Sequence, residues 1–548
     1  MKGSDLFVKC LENEGVKYIF GLPGEELEDI LFSLEKSSIQ FIPTRHEQGA
    51  AFMADMWGRV SGQAGVCLST LGPGATNLVT GVADANLDKS PVVAISAQAG
   101  LRRIHKESHQ YLNLVNLFRP ITKWNSTISS PDVIPEVVRK AFKIAESEKP
   151  GATHIEFSED IAGMDIEEGE PISSKRVRRP DPDDQALEET VALLKKARYP
   201  IIIAGNGAVR KLASEQLSAL VKQHNIPVVH TFMGQGAILD SEPQSLFTIG
   251  FGFRDFVMDA MDKADLVMTV GYDLTEYAPD AWNPHRDKKI IHIDFTPAEV
   301  YTHYQPTVEL VADIPATLRE LNKKLGMAND YKFDSSWYQP VRSRIIKDIA
   351  GYALQEGRPF TVPGVLNILQ SIMKDDDLLI SDVGSHKFWI ARNFSACCPN
   401  GCIISNGLAS MGIALPGAIA AALYSPNRRI VAAMGDGGFL MNSQELETAK
   451  RLQVGFTTII FNDNDYGLIS WKQRTNRGHT TGTKITNPDF KAYTESFGIK
   501  AYCPSNAKEL KIQLTHALQS RELCVFEIPV DTSVNEELIN KLNSLRKD

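Results

Sequence analysis

Short apolar runs and helical patterns take turns along this chain. Residues 5–14 carry apolar positions at helical spacing, while 18–20, 65–69, 91–97 and 152–157 are brief apolar runs of strand length. That rhythm of helix and strand predicts a parallel α/β sheet. The stretch 167–185 is charged, proline-rich and without period, which reads as a linker. A second unit follows, with strands expected at 200–204, 227–230, 266–270 and 289–293 and a helix at 184–197. Residues 325–361 are polar and ambiguous and hold the second boundary. A third unit has strands near 378–381, 430–434, 457–462 and 524–528. The expected architecture is three α/β domains, each a doubly wound parallel sheet, spanning 1–170, 186–328 and 360–535.

Length agrees with that division: 548 residues exceed what one core supports, since cores stop growing at roughly 250–300 residues. With 43% hydrophobic and 23% charged residues the chain has an ordinary globular composition. A net charge of −9 offers no basic face for a polyanion, which excludes nucleic acid as an expected partner. The first residues mix charges into apolar positions, so no secretory signal is expected, and no apolar run reaches the roughly 20 residues a membrane span needs. Seven cysteines, an odd and mostly scattered set, fit reduced thiols and a cytoplasmic location. The cluster of Cys397, Cys398 and Cys402 lacks a paired C-x-x-C and a second half, so idle thiols are a better reading than zinc.

Chemistry concentrates in two places. Met434-Gly435-Asp436-Gly437-Gly438 follows an apolar run, and Asn462-Asp463-Asn464-Asp465 ends the next one. Two carboxylates at the carboxyl ends of parallel strands face one crevice. The glycines let backbone approach a diphosphate, and the acids can hold a hard cation such as Mg²⁺. A solvated turn is the alternative for either motif alone. The second place is Arg45-His46-Glu47-Gln48-Gly49, opening a helix, where Glu47 is either a dipole partner or a functional acid. Gly72-Pro73-Gly74 precedes a helix start and can present amides to an oxyanion.

The spacing of Gly435-Asp436-Gly437 from Asn462-Asp463 resembles the thiamine diphosphate signature, with an aspartate where an asparagine is usual. The stretches at 21–26, 45–55, 68–85 and 405–418 resemble acetolactate synthase, and the resemblance covers nearly the whole chain. Gly271-Tyr272, Glu276-Tyr277 and Trp282-Asn283 resemble its catabolic form. The resemblance names the three domains pyrimidine-binding, central and diphosphate-binding. It implies Mg²⁺ held by Asp436, Asp463 and the backbone carbonyl of Asp465. It also implies cofactor contacts at Glu47, Gly72, Gly384, His386, Met411, Gly435, Asp436, Gly437, Gly438, Asp463 and Tyr466. Glu47 would meet the aminopyrimidine and promote the ylide, and Met411 would bend the cofactor. As a residue pattern alone, Met411 reads equally as an apolar helix position. Gln110 and Lys123 would line the substrate channel, with a surface cation as the plain alternative for Lys123, and His109 would be structural or touch substrate.

The implied reaction is decarboxylation of pyruvate to a hydroxyethyl enamine that adds to a second 2-keto acid, giving 2-acetolactate. Because the two half-sites of this family come from different subunits, a homodimer or homotetramer is expected. Trp471 and Lys472 depart from the family's aromatic-then-glutamine pattern over the active site, and Ser158-Glu159-Asp160 puts an acid where anabolic members carry lysine. The nearest rival is a 2-keto acid decarboxylase, although the adjacent histidine pair of pyruvate decarboxylases is absent. A nicotinamide oxidoreductase is suggested by Gly205-Asn206-Gly207, but Arg210 stands where the third glycine belongs. The central domain binds FAD in anabolic members; the catabolic likeness argues against FAD. A non-catalytic subunit is the third alternative, and the retained Glu47 counts against it.

Overall fold

A computed structural model describes residues 1–544 apart from 176, 211, 328–330 and 353–357. Three six-stranded sheets follow one another along the chain. The first contains β1 (Tyr18–Gly21), β2 (Gln40–Pro43), β3 (Gly65–Ser69), β4 (Val92–Gln98), β5 (Trp124–Ile128) and β6 (Ala152–Ser158). The second contains β7 (Pro200–Ala204), β8 (Val228–His230), β9 (Ser245–Thr248), β10 (Leu266–Val270), β11 (Lys289–Asp294) and β12 (Val308–Val311). The third contains β13 (Leu378–Ser381), β14 (Cys402–Ile404), β15 (Ile430–Gly435), β16 (Thr457–Asn462), β17 (Lys500–Tyr502) and β18 (Cys524–Pro529). Every pairing between these strands is parallel.

The orders are β2-β1-β3-β4-β6-β5, β12-β11-β10-β7-β8-β9 and β14-β13-β15-β16-β18-β17, so the outer two sheets are wound alike. In doubly wound sheets a crevice opens at the carboxyl ends of the strands where the order reverses. Those points lie between β1 and β3, between β7 and β10, and between β13 and β15. The glycine-bearing loops at 72–74, 205–207 and 435–438 each leave a strand at one of them.

Helices bury both faces of the sheets, which is why the inner strands are largely buried and mostly apolar. The helix Glu47–Ser61 of the first domain packs on Ala414–Tyr424 of the third, with the Trp57 ring edge-on to Tyr424. The approach is close: a Cβ on Gly417 would lie 2.9 Å from Met56 Cε. A single apolar core thus spans the first and third domains, and a second joins the central and third.

The described residues of the segment 167–185 form no regular element until the helix Asp184–Lys196 begins. The ambiguous stretch 325–361 contains the helix Gln339–Gly351, buried on one side through Val341 and Ile345. Part of that stretch, 328–330 and 353–357, lies outside the described residues. Among the described residues no helix is long and apolar enough to cross a membrane.

Candidate active site

Three strand ends of the third sheet converge on a cleft of about 180 Å³. β13 runs into Asp382 and the helix Ser385–Asn393, β15 into the helix Asp436–Asn442, and β16 into the loop before the helix Gly467–Arg477. Gly384, His386, Met411, Asp436, Asp463, Asp465 and Tyr466 all line it, with Gly435, Gly437 and Gly438. The glycines are needed there: a Cβ on Gly437 would sit 3.0 Å from the Tyr466 ring, and one on Gly467 would sit 2.4 Å from Asp463 Oδ2.

Asp436 is buried and accepts hydrogen bonds from the Gly437 amide (2.8 Å), the Asn464 amide (2.8 Å) and Asn487 Nδ2 (2.7 Å). Asp463 accepts one from the Asp465 amide at 3.1 Å. Burial, then repulsion from Asp436, pushes the Asp463 carboxyl up to about 7. Burial raises Asp436 as well. Two carboxyls held this close and this dry are a donor set suited to a hard cation, whose charge would relieve both effects. Oδ2 of Asp465 is engaged by Ser470 Oγ (2.6 Å) and Lys484 Nζ (3.0 Å), while its Oδ1 is buried without a hydrogen-bond partner. Among the described residues no group of three or more His, Cys, Asp or Glu side chains is arranged to hold a metal.

His386 is fully buried, which drives its pKa down to about 3 and leaves the ring neutral, with Nε2 lacking any partner. An orphaned ring nitrogen beside amide-rich glycine turns fits an anionic phosphate group. Met411 precedes the helix Ala414–Tyr424 instead of lying in it, half-buried at the cleft wall. Asn487, which no local motif marks, ties Asp436, Asn462 and Asn464 together.

Every residue lining this cleft lies at 362 or later, so Glu47 is not among them. Glu47 opens its helix with His46 as N-cap, is 5% exposed, and accepts from Asn77 Nδ2 at 2.9 Å. A Cβ on Gly74 would lie 3.1 Å from its Oε1. Gly72 has φ +52° and leaves room for Gln110, whose carbonyl would lie 2.6 Å from a Cβ there. Gln110 is thus brought beside the Glu47 surface on an exposed loop, with His109 exposed next to it. Glu159 and Asp160 account for the acids noted in the sequence: they accept from the amides of Gly100 and Leu101 and pin the root of that loop.

Lys123 is placed differently from the expected substrate channel. Its ammonium donates to the carbonyls of Ile144 (2.6 Å), Ser147 (2.8 Å) and Lys149 (2.6 Å), closing the end of the helix Ile134–Glu146. Trp471 is buried against Phe253 and Phe388, with Lys472 exposed beside it. In the central domain the loop at 205–207 is filled by the chain itself. The Glu276 carboxylate accepts from the Asn206 and Asp273 amides and the Thr231 hydroxyl, where a dinucleotide fold would seat phosphate. A Cβ on Gly205 would lie 2.8 Å from Glu276 Oε1, so the turn as folded has a carboxylate where a nicotinamide dinucleotide would place its phosphate.

Comparison with known proteins finds three matches in the order of the three sheets, the first of them stopping before β5 and β6. Residues 1–117 match the N-terminal TPP-binding domain of thiamine pyrophosphate enzymes, 187–321 their central domain and 382–528 their C-terminal TPP-binding domain. The chain is 33% identical to acetolactate synthase of Bacillus subtilis (strain 168), over 98% of this chain and 94% of that protein. It is 33% identical to the catabolic acetolactate synthase of Raoultella terrigena, over 99% and 97%. It is 32% identical to the chloroplastic acetolactate synthase 1 of Nicotiana tabacum, over 95% and 80%. With all three domains matched and the likeness unbroken from end to end, the chain belongs to the thiamine pyrophosphate enzyme family.

Proposed function

We propose that this enzyme is an acetolactate synthase, joining two pyruvates to 2-acetolactate with release of CO₂ and depending on thiamine diphosphate and Mg²⁺. The observation that carries the reading is the full-length likeness to acetolactate synthases, which extends beyond the cofactor motifs through the central domain. When bound, thiamine diphosphate supplies the nucleophilic carbon and the electron sink for decarboxylation.

The chain's own residues do the rest. Gly384, Gly435, Gly437 and Gly438 bring backbone close to the diphosphate, and neutral His386 donates or accepts through its free nitrogen. Asp436 and Asp463 would hold Mg²⁺ and offset its charge, with the Asp465 carbonyl as a neutral ligand, and Asn487 fixes the Asp436 carboxylate by a hydrogen bond. Met411 and Tyr466 bound the cofactor's middle. Glu47, held by Asn77, presents a carboxyl to the aminopyrimidine and moves a proton there, while Gly72 and Gln110 face the incoming keto acid. Lys123 is left out, because its ammonium is committed to three carbonyls.

We read Glu47, which does not line the cleft, as the half of the site that another chain supplies. Exposed apolar side chains support that: Leu408, Met441 and Ile469 surround the cleft, and Leu101, Ile104 and Leu112 flank Gln110. A homodimer or homotetramer with sites between subunits buries both patches. The test is product analysis of pure protein with pyruvate, Mg²⁺ and thiamine diphosphate. Acetolactate is the expected main product; acetaldehyde as the main product makes the protein a decarboxylase instead.

A further inference from the structure

Residues 405–412 link β14 to the helix Ala414–Tyr424 without regular structure, and they carry Ala409 and Met411 into the cleft. Ala409 has φ +57°, a left-handed conformation that is strained for a non-glycine residue and persists only where the surroundings impose it. What imposes it comes largely from the first domain. Arg59 is ion-paired with three aspartates, Asp55, Asp84 and Asp88, whose side chains are wholly buried. One guanidinium cannot satisfy three carboxylates, so the remaining lone pairs need other donors.

The 405–412 segment supplies them. Ser405 Oγ donates to both oxygens of Asp84 at 3.0 Å, the Ser410 amide donates to Asp84 at 3.3 Å, and the Gly407 amide donates to Asp88. Gly407 is required, since a Cβ there would lie 2.5 Å from Asp88 Oδ1. From the other side, buried Asp382 accepts from the Gly412 amide (2.8 Å), and Lys387 Nζ holds Asn406 Oδ1 (2.9 Å).

We propose that Asp84 and Asp88 are positioning residues for the reaction, fixing 405–412 from outside the cofactor domain and so setting where Ala409 and Met411 stand in the cleft. The inference rests on the proposed role of the cleft as the cofactor site. It also gives the helices Glu47–Ser61 and Pro73–Leu87 two working ends. Glu47 and Gly74 lie at one, and Arg59 and Asp84 lie about 15–20 Å away at the other, given a rise of about 1.5 Å per residue.

The test uses full-length Asp84→Asn and, should that variant fold poorly, Ser405→Ala, which leaves the Arg59 cluster whole. Amide hydrogen exchange of the apoprotein is expected to quicken about 10-fold or more within 405–412 and to stay unchanged in β15. In the holoenzyme, exchange of the cofactor's C2 proton and kcat are expected to fall together, by about 100-fold for a displacement near 1 Å, with KM for pyruvate almost unmoved. Unchanged exchange in 405–412 would overturn the inference. So would a loss of kcat that merely follows a lower melting temperature or weaker cofactor binding. Neither exchange measurement needs a keto acid, so both decide the positioning claim even if the wild-type protein makes some product other than acetolactate.

Discussion

Residues whose chemistry sits beside a strand end announce themselves locally. Asp436 and Asp463 could be picked out because each borders an apolar run with a charge flanked by glycine or asparagine, and Glu47 because it opens a helix in a stretch with a family resemblance. Asn487 and Asp84 could not, since each acts on a partner far along the chain: Asn487 reaches back 51 residues to Asp436, and Asp84 reaches 321 residues to Ser405. Lys123 shows the converse, a cation at an attractive position whose ammonium is consumed by helix-end carbonyls. At this scale Glu47→Gln is expected to lower kcat by roughly 10²–10⁴-fold while thermal stability and cofactor affinity stay near wild type; near-normal turnover would remove Glu47 from the chemistry. His154 offers a pH prediction away from the site. Fully buried and stacked on Phe118, it is held down to about 3 from an ordinary 6.5. A depressed value means the folded state resists protonation, so this contribution is complete above pH 6.5 and is lost as pH falls from there toward 3. His154→Gln should flatten that part of the stability curve, read from urea midpoints across the range.

Elements divide just as cleanly into those the pattern reveals and those it hides. The strands anticipated from apolar runs are the four inner strands of each sheet, whereas β2, β5, β9, β12, β14 and β17, which were not anticipated, are the six edges. An inner strand is covered on both faces and is therefore mostly apolar, its few polar residues, such as His154, being buried and hydrogen-bonded. An edge strand is short and half-paired, so polar residues such as Gln40, Asn125 and Lys500 are tolerated and dilute the signal. The close packing of helices was equally unreadable, because it depends on what a missing side chain leaves free. Gly81 lets Pro73–Leu87 touch Glu47–Ser61, where a Cβ would lie 2.5 Å from that of Ala51. Gly81→Val is expected to force this pair apart at about 1–3 kcal/mol, seen as a lower urea midpoint with an unchanged slope.

For the molecule as a whole, the three-domain plan was legible from the linker and the recurring rhythm, but the shared winding of the outer sheets was not, because strand order leaves no trace in composition or period. That shared winding gives two crevices of the same kind, one furnished with Glu47 and one with Asp436 and Asp463. Dialysis against a chelator in cofactor-free buffer is expected to abolish acetolactate formation. Only Mg²⁺ and thiamine diphosphate added together should restore it; recovery with thiamine diphosphate alone would remove the metal from the assignment.

The absence of any residue before 362 from the cleft wall also has a genetic meaning. If each site borrows Glu47 from one chain and Asp436 from another, a Glu47→Gln chain and an Asp436→Ala chain carry their lesions in opposite halves. A dimer mixed from the two concentrates both defects in one site and leaves the other wholly wild type. Two dead alleles expressed together, or two inactive proteins unfolded and refolded together, should therefore complement each other and regain roughly a quarter of the wild-type sites for random pairing. A mixture that stays inactive while mixed dimers are shown to form would mean that each chain builds its site alone.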